Sequence, residues 1–142
     1  MIRFASSVTI ARPPDEVFEY LADFSKQALW SDVPMRRLTD GPLAVGSRMD
    51  VTFGMGPIKA HVGLEMTAIE PGRRMAFRTF SGPIDWTGEY RLAPSGARTE
   101  VSQEGTLRFS GLWRLLEPIV GAEIRTGEVK ELEKLKAVVE GG

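Results

Sequence analysis

Between Met35 and Phe109 apolar and polar residues alternate one by one. The alternation is cut at Gly41-Pro42, Gly54-Met55-Gly56-Pro57, Pro71-Gly72, Gly82-Pro83 and Pro94-Ser95-Gly96. Side chains on a strand point alternately to opposite faces, and glycine and proline punctuate chains at turns. This stretch therefore predicts hairpin-linked antiparallel strands sharing one apolar face. After Gly111 the spacing becomes helical to about Glu140: Leu112, Leu115, Leu116, Ile119 and Val120 fall on one broad face, and Val129, Leu132, Leu135 and Val139 continue it. An antiparallel sheet with one apolar face must be covered, and this helix is the only long element available to cover it.

The other elements follow from local signals. Residues 2–10 read as a strand with Phe4, Val8 and Ile10 on one face. Arg12-Pro13-Pro14 ends it, and proline with Asp15 and Glu16 opens a helix carrying Val17, Phe18 and Leu21. A second short helical segment covers Phe24 to Trp30, and Pro34 stops it. Residues 35–39 make a weak strand, and 47–53 place Met49, Val51 and Phe53 inward. Residues 58–70 place Ile58, Ala60, Val62, Leu64, Met66 and Ala68 on one face, with His61 and Glu65 on the other. Met75, Phe77 and Thr79 face one way, as do Trp86, Gly88, Tyr90 and Leu92. Thr99, Val101, Gln103, Gly105, Leu107 and Phe109 do so in the last strand. The class is α+β: a curved antiparallel sheet of six to seven strands wraps the C-terminal helix, and two short helices follow the first strand. A twisted sheet and a helix cannot touch everywhere, so a space remains between them.

Composition narrows the function. The 142 residues, 42% hydrophobic and 26% charged, suit one domain over 1–142. Lys and Arg number 18 against 19 Asp and Glu, for a net charge of −1, so phosphate neutralisation and nucleic-acid binding are not expected. Cysteine is absent and histidine occurs once, which removes thiolate chemistry and multi-histidine metal sites; no metal and no cofactor is expected. No apolar run is long enough for an integral membrane span. The first residues alternate instead of forming the apolar core of a secretory signal, which points to the cytoplasm.

Four passages resemble the START-like (SRPBCC) superfamily of helix-grip proteins, and within it the bacterial polyketide cyclase-like branch. They are Ala11-Arg12-Pro13-Pro14-Asp15-Glu16-Val17-Phe18 with Leu21-Ala22-Asp23 and Trp30; Pro71-Gly72-Arg73-Arg74-Met75-Ala76-Phe77; the hairpin Tyr90 to Val101; and the closing Leu135-Lys136-Ala137-Val138-Val139-Glu140. The resemblance implies a seven-strand sheet gripping the terminal helix around a cavity for an apolar ligand. It implies no single activity, because the superfamily holds transporters, cyclases, receptors and co-chaperones.

Gln103 shares the inward parity of Val101 and Leu107, and a buried amide needs partners from the protein, a ligand or water. Trp86 and Tyr90 face the same way, each with one polar group on an aromatic body. Each alone reads as core filling; together they read as a pocket. Phe53, Met66, Met75 and Phe77 supply apolar wall, and methionine adapts to irregular shapes. Trp30 lines the mouth or anchors the short helices. Arg125, if inward, is a buried cation that needs a carboxylate or an anionic ligand; if outward, it snorkels. His61 points out and reads as a surface residue, as do Glu65 and Asp85. Glu131–Lys134, Glu133–Lys136 and Lys136–Glu140 fall at pairing distance along the wet side of the helix. Arg36-Arg37 and Arg73-Arg74 read as solubilising turns.

The predicted ligand-binding set is therefore Trp30, Phe53, Met66, Phe77, Trp86, Tyr90, Gln103 and Arg125, with no assigned catalytic residue. One reading is a monomeric or homodimeric protein that binds or transports a hydrophobic, lipid- or polyketide-like small molecule. The other is an enzyme of the polyketide cyclase/dehydratase type, with Tyr90, Gln103 and Arg125 as its candidate groups. A third, a partner-binding module resembling the Hsp90-activator branch, lacks the exposed patch it would need.

Overall fold

The computed structural model describes residues 1–31, 33–55 and 58–141; the side chains at 24, 53–55, 58, 120–125 and 128 lie outside that description. Among the described residues the order is β1 (Ile2–Ile10), α1 (Pro14–Ala22), a 3₁₀ turn (Phe24–Lys26), α2 (Gln27–Trp30), β2 (Met35–Arg37), β3 (Arg48–Met55), β4 (Ile58–Glu70), β5 (Arg74–Ser81), β6 (Ile84–Ser95), β7 (Arg98–Phe109), a second 3₁₀ segment (Gly111–Leu116) and α3 (Glu117–Gly141). The seven strands form one antiparallel sheet in the order β1-β7-β6-β5-β4-β3-β2. The first strand thus closes one edge and the second forms the other.

Alternation holds through β6 and β7, whose inner faces are buried from Ile84 to Leu92 and from Thr99 to Phe109 except at Gly105. It fails once in β4. Register shifts fall between Gly63 and Leu64 and between Met66 and Ala68, so Thr67 is an extra residue opposite the Phe77–Ala76 step. A bulge reverses every facing beyond it. Ala68, expected inward, pairs with outward Ala76, and Ile69 takes the inner place opposite Met75 and packs on the core.

The long helix also departs from expectation. Residues 111–116 wind as a 3₁₀ helix with three residues per turn, so the stripe expected at 3.6 does not form there. Leu112, Leu115, Ile119 and Val129 are exposed; Leu132, Leu135 and Val139 are buried. At 100° per residue Ile119 lies about 140° from Leu132, too far round the helix to share its face. Among the described side chains the helix buries Leu132, Leu135 and Val139, and it packs chiefly on β1, with lesser contacts to α2, α1 and β7. Polar contacts pin that end. Lys136 Nζ donates to the Thr9 carbonyl at 2.8 Å, Arg12 Nη2 to the Glu140 carbonyl at 2.6 Å, and the Ala11 amide to Glu140 Oε2 at 2.9 Å.

On the outer face Arg74 is more than a solubilising turn residue. It bonds Glu89 through Nε and Glu70 through Nη1 at 3.1 Å, and Arg91 Nε sits 3.2 Å from Glu89. Burial works against ionisation of Glu89, but the bonds and charges of Arg74 and Arg91 outweigh it and hold the carboxyl below its ordinary value. A carboxyl with a lowered folded-state value stabilises the fold above its unfolded value, about pH 4.3, and loses that contribution as pH falls through the folded one. Glu89→Gln is expected to reduce the loss of stability below about pH 4.3, read from urea midpoints across pH 3 to 7.

The inner face is shaped by Gly88 and Gly105, paired across β6 and β7. A Cβ on Gly88 would stand 2.4 Å from the Phe77 ring; one on Gly105 would stand 2.5 Å from the Phe4 ring and 2.2 Å from the Thr87 carbonyl oxygen. The rings fill the room that the two missing side chains leave, and this seats Phe77 at the inner wall. Because the Thr87 oxygen is backbone and cannot swing aside, Gly105→Ala is expected to cost about 1–3 kcal/mol in denaturant unfolding.

Candidate functional site

Among the described residues α3 packs chiefly on β1. Val62, Leu107 and Phe109, expected on the inner faces of their strands, are buried in the core and do not line the cavity. The space lies between α1, α2, the Glu131 turn of α3 and the inner faces of β3 to β7. It is a cavity of about 70 Å³ lined by Leu21, Ala22, Gln27, Trp30, Ser31, Val33, Met35, Leu43, Met49, Leu64, Met66, Met75, Phe77, Trp86, Tyr90, Gln103 and Glu131.

Each wall has a local cause. Proline in the first turn and the acidic pair Asp15 and Glu16 start α1, which buries Val17, Phe18 and Leu21. The chain turns back through α2, and Trp30 Nε1 donates to the Tyr20 carbonyl near the end of α1 at 3.3 Å. That bond supplies a partner to a helix-end carbonyl and fixes the indole over the sheet. The Trp30 ring meets Tyr90 edge to face at 6.1 Å between centroids, and Phe77 meets Trp86 in the same manner at 4.7 Å. Met35, Met49, Met66 and Met75 fill between the aromatic rings, with side chains flexible enough to re-pack.

The deepest polar group is Gln103, 2% exposed. It stands opposite Tyr90 in the β6–β7 register, and its Nε2 donates to Tyr90 Oη at 3.0 Å. Its Oε1 is buried with no partner among the described residues. Glu131, expected on the wet side of the helix, is half-buried and borders the cavity.

Of the predicted set, Trp30, Met66, Phe77, Trp86, Tyr90 and Gln103 converge on this one cavity. The side chains of Phe53 and Arg125 lie outside the described residues. Sequence reading missed Leu43 and Glu131: Leu43 sits in a loop with no period, and Glu131 neighbours the buried Leu132 on a helix whose rotation only packing sets. It saw Met35 and Met49 as strand residues but not as cavity wall. His61 stands exposed on the outer face, its Nδ1 3.3 Å from Asp50 Oδ2 and 3.3 Å from Thr52 Oγ1. Among the described residues no cluster of His, Cys, Asp and Glu is built to hold a metal, and no helix is long and apolar enough to cross a membrane.

A second, open groove of about 770 Å³ lies outside, between α1 and the loop before β3, with Glu19, Asp23, Lys26 and Arg37 on its walls. Ala22 and Leu43 line both spaces and form the partition between them. At this rim Ser25 donates to Asp23 Oδ1 through its hydroxyl at 2.6 Å and its amide at 3.0 Å, and these bonds hold the Asp23 carboxyl below its ordinary value.

A curved sheet, a C-terminal helix and an apolar cavity with one inner polar pair can be compared with known proteins. The sequence profile of the family described as polyketide cyclase / dehydrase and lipid transport matches residues 1–140. The chain belongs to this family. No curated protein matches it in sequence. Among solved structures, TTHA0849 from Thermus thermophilus superposes with a TM-score of 0.82 at 16% identity, over 98% of this chain and 97% of that one. The Zhui aromatase/cyclase from Streptomyces sp. R1128 superposes with a TM-score of 0.76 at 19% identity, over 97% and 93%. Ara h 8.0201 does so with a TM-score of 0.73 at 14% identity, over 99% and 98%. At these identities the likeness shows a shared helix-grip fold.

Removing the Tyr90 hydroxyl leaves the buried Gln103 amide with a second unmet group. Tyr90→Phe is expected to cost about 1–3 kcal/mol, and Gln103→Leu in that background is expected to cost less than in the wild type. A double-mutant cycle by denaturant unfolding measures the coupling.

Proposed function

We propose that the protein binds a hydrophobic small molecule, lipid- or polyketide-like in its apolar character, in the cavity between the sheet and the helices. The observation that carries the reading is the composition of the wall: leucines, methionines and aromatic rings enclose it, and the Tyr90–Gln103 pair is its deepest polar feature. Such sites are mostly apolar with a few oriented polar groups. Family membership supports the same reading. The net charge of −1 argues against a nucleic-acid partner, and the same reading takes the protein as monomeric or homodimeric and cytoplasmic.

Size refines the reading. A volume of 70 Å³ admits about five waters, whereas drug-sized ligands occupy roughly 300–1,000 Å³. A guest is therefore compact, or it enters as Met35, Met49, Met66 and Met75 re-pack and the Ala22–Leu43 partition parts. The second reading is a cyclase or dehydratase acting on such a guest. The Tyr90 hydroxyl and the Glu131 carboxyl border one apolar space and favour it. Tyrosine's ordinary pKa near 10 suits it to donate a proton rather than to take one.

Native mass spectrometry of the freshly purified protein is expected to show a co-purified apolar molecule. An apolar fluorescent probe is expected to bind and to quench Trp30 and Trp86. Ala22→Phe, placed on the partition, is expected to weaken probe binding about tenfold with little loss of thermal stability. If no probe or extractable molecule binds, the binding reading is wrong. Turnover that persists in Tyr90→Phe and Glu131→Gln would remove those groups from the enzymatic one.

A further inference from the structure

Gln103 carries more than a structural bond. A primary amide offers two donors and an acceptor, and a buried amide that leaves one of these unmet costs stability. Here Nε2 is engaged by Tyr90 Oη, and the carbonyl end, Oε1, is the buried acceptor without a partner among the described residues. The residue is 2% exposed and lines the cavity. In the same wall Met66, Met75 and Phe77 carry no N–H or O–H side-chain donor, and the Trp30 indole N–H is held by the Tyr20 carbonyl. A guest in the cavity is placed to supply the partner that Oε1 lacks among the described residues.

We propose that Gln103 Oε1 is the polarity-selecting anchor of the site, and that the ligand is a compact, ring-sized apolar molecule presenting an O–H or N–H donor to it. This inference rests on the binding reading above and adds the chemistry of the guest. Tyr90 acts as a positioning residue, because its hydroxyl holds Nε2 and so fixes the orientation of the amide. Selection follows from the cost of a mismatch. A hydrocarbon leaves the acceptor dry and unpaired, and a carbonyl compound sets two acceptors face to face, whereas a hydroxyl donor closes the bond.

The test uses p-cresol, p-xylene and p-tolualdehyde, which share a ring and a methyl group and offer a donor, nothing polar, and an acceptor alone. Binding to the whole protein is read from methyl NMR of Met35, Met49, Met66 and Met75. Relative to the octanol partition of the same compounds, p-cresol is expected to bind the wild type about tenfold better than p-xylene and p-tolualdehyde. Gln103→Leu is expected to erase that preference while p-xylene still binds. Gln103→Met is the second variant if the leucine protein does not fold, and the wild-type comparison needs neither. Tyr90→Phe is expected to weaken the preference without removing it. Equal corrected affinities, or a preference for the aldehyde, would overturn the inference and leave the binding reading standing. If none of the three binds, while a larger apolar probe does, the ring-sized guest is wrong but the site is not. If no probe of any size binds, both readings fall together.

Discussion

The placement of the long helix against β1 governs the rest of the structure. Leu132, Leu135 and Val139 bury against the first strand, and Lys136, Arg12 and Glu140 tie that end of the helix to the corner between β1 and α1. A cover placed centrally would fill the sheet's concavity evenly. Here the described end of α3 packs on the β1 edge, and α1 and α2 stand over the cavity with Glu131 of α3 at its border. The cavity is the remainder of that packing.

What the remainder can do follows from what lines it. Removal from water makes a hydrogen bond strong and an unmade one costly. In a largely apolar wall the buried Gln103 amide therefore carries unusual weight. The Gln103–Tyr90 bond crosses between adjacent strands at one register position, so the sheet itself sets its geometry. The methionines contribute the opposite property. Their side chains re-pack at little cost, and the wall can change shape while the polar pair stays fixed.

A family of polyketide cyclases, dehydrases and lipid transporters fits a scaffold of this kind. Structures less than 20% identical to this chain keep its layers and topology over nearly their whole length. The alternation of apolar residues and the placing of turns can survive almost any exchange of individual side chains, and the fold asks for little more. A fold of this kind does not by itself fix an activity.

The sheet was legible because a strand's facing depends on parity alone. Parity alone sets Trp86, Tyr90 and Gln103 on one side, and all three reach the cavity. Parity is also blind to a bulge: Thr67 reversed Ala68 and Ile69, and no residue type at that position announces it. The helix was legible as a helix but not in its rotation or docking, because Leu112, Leu115 and Ile119 match the apolar pattern and nevertheless face solvent. Local periodicity determined which elements form and which face of each strand is apolar, since these depend on neighbours in the chain. Tertiary packing alone decided where α3 rests, how little space is left, and that Leu43 and Glu131 border it, since these depend on residues far apart in sequence competing for the same volume.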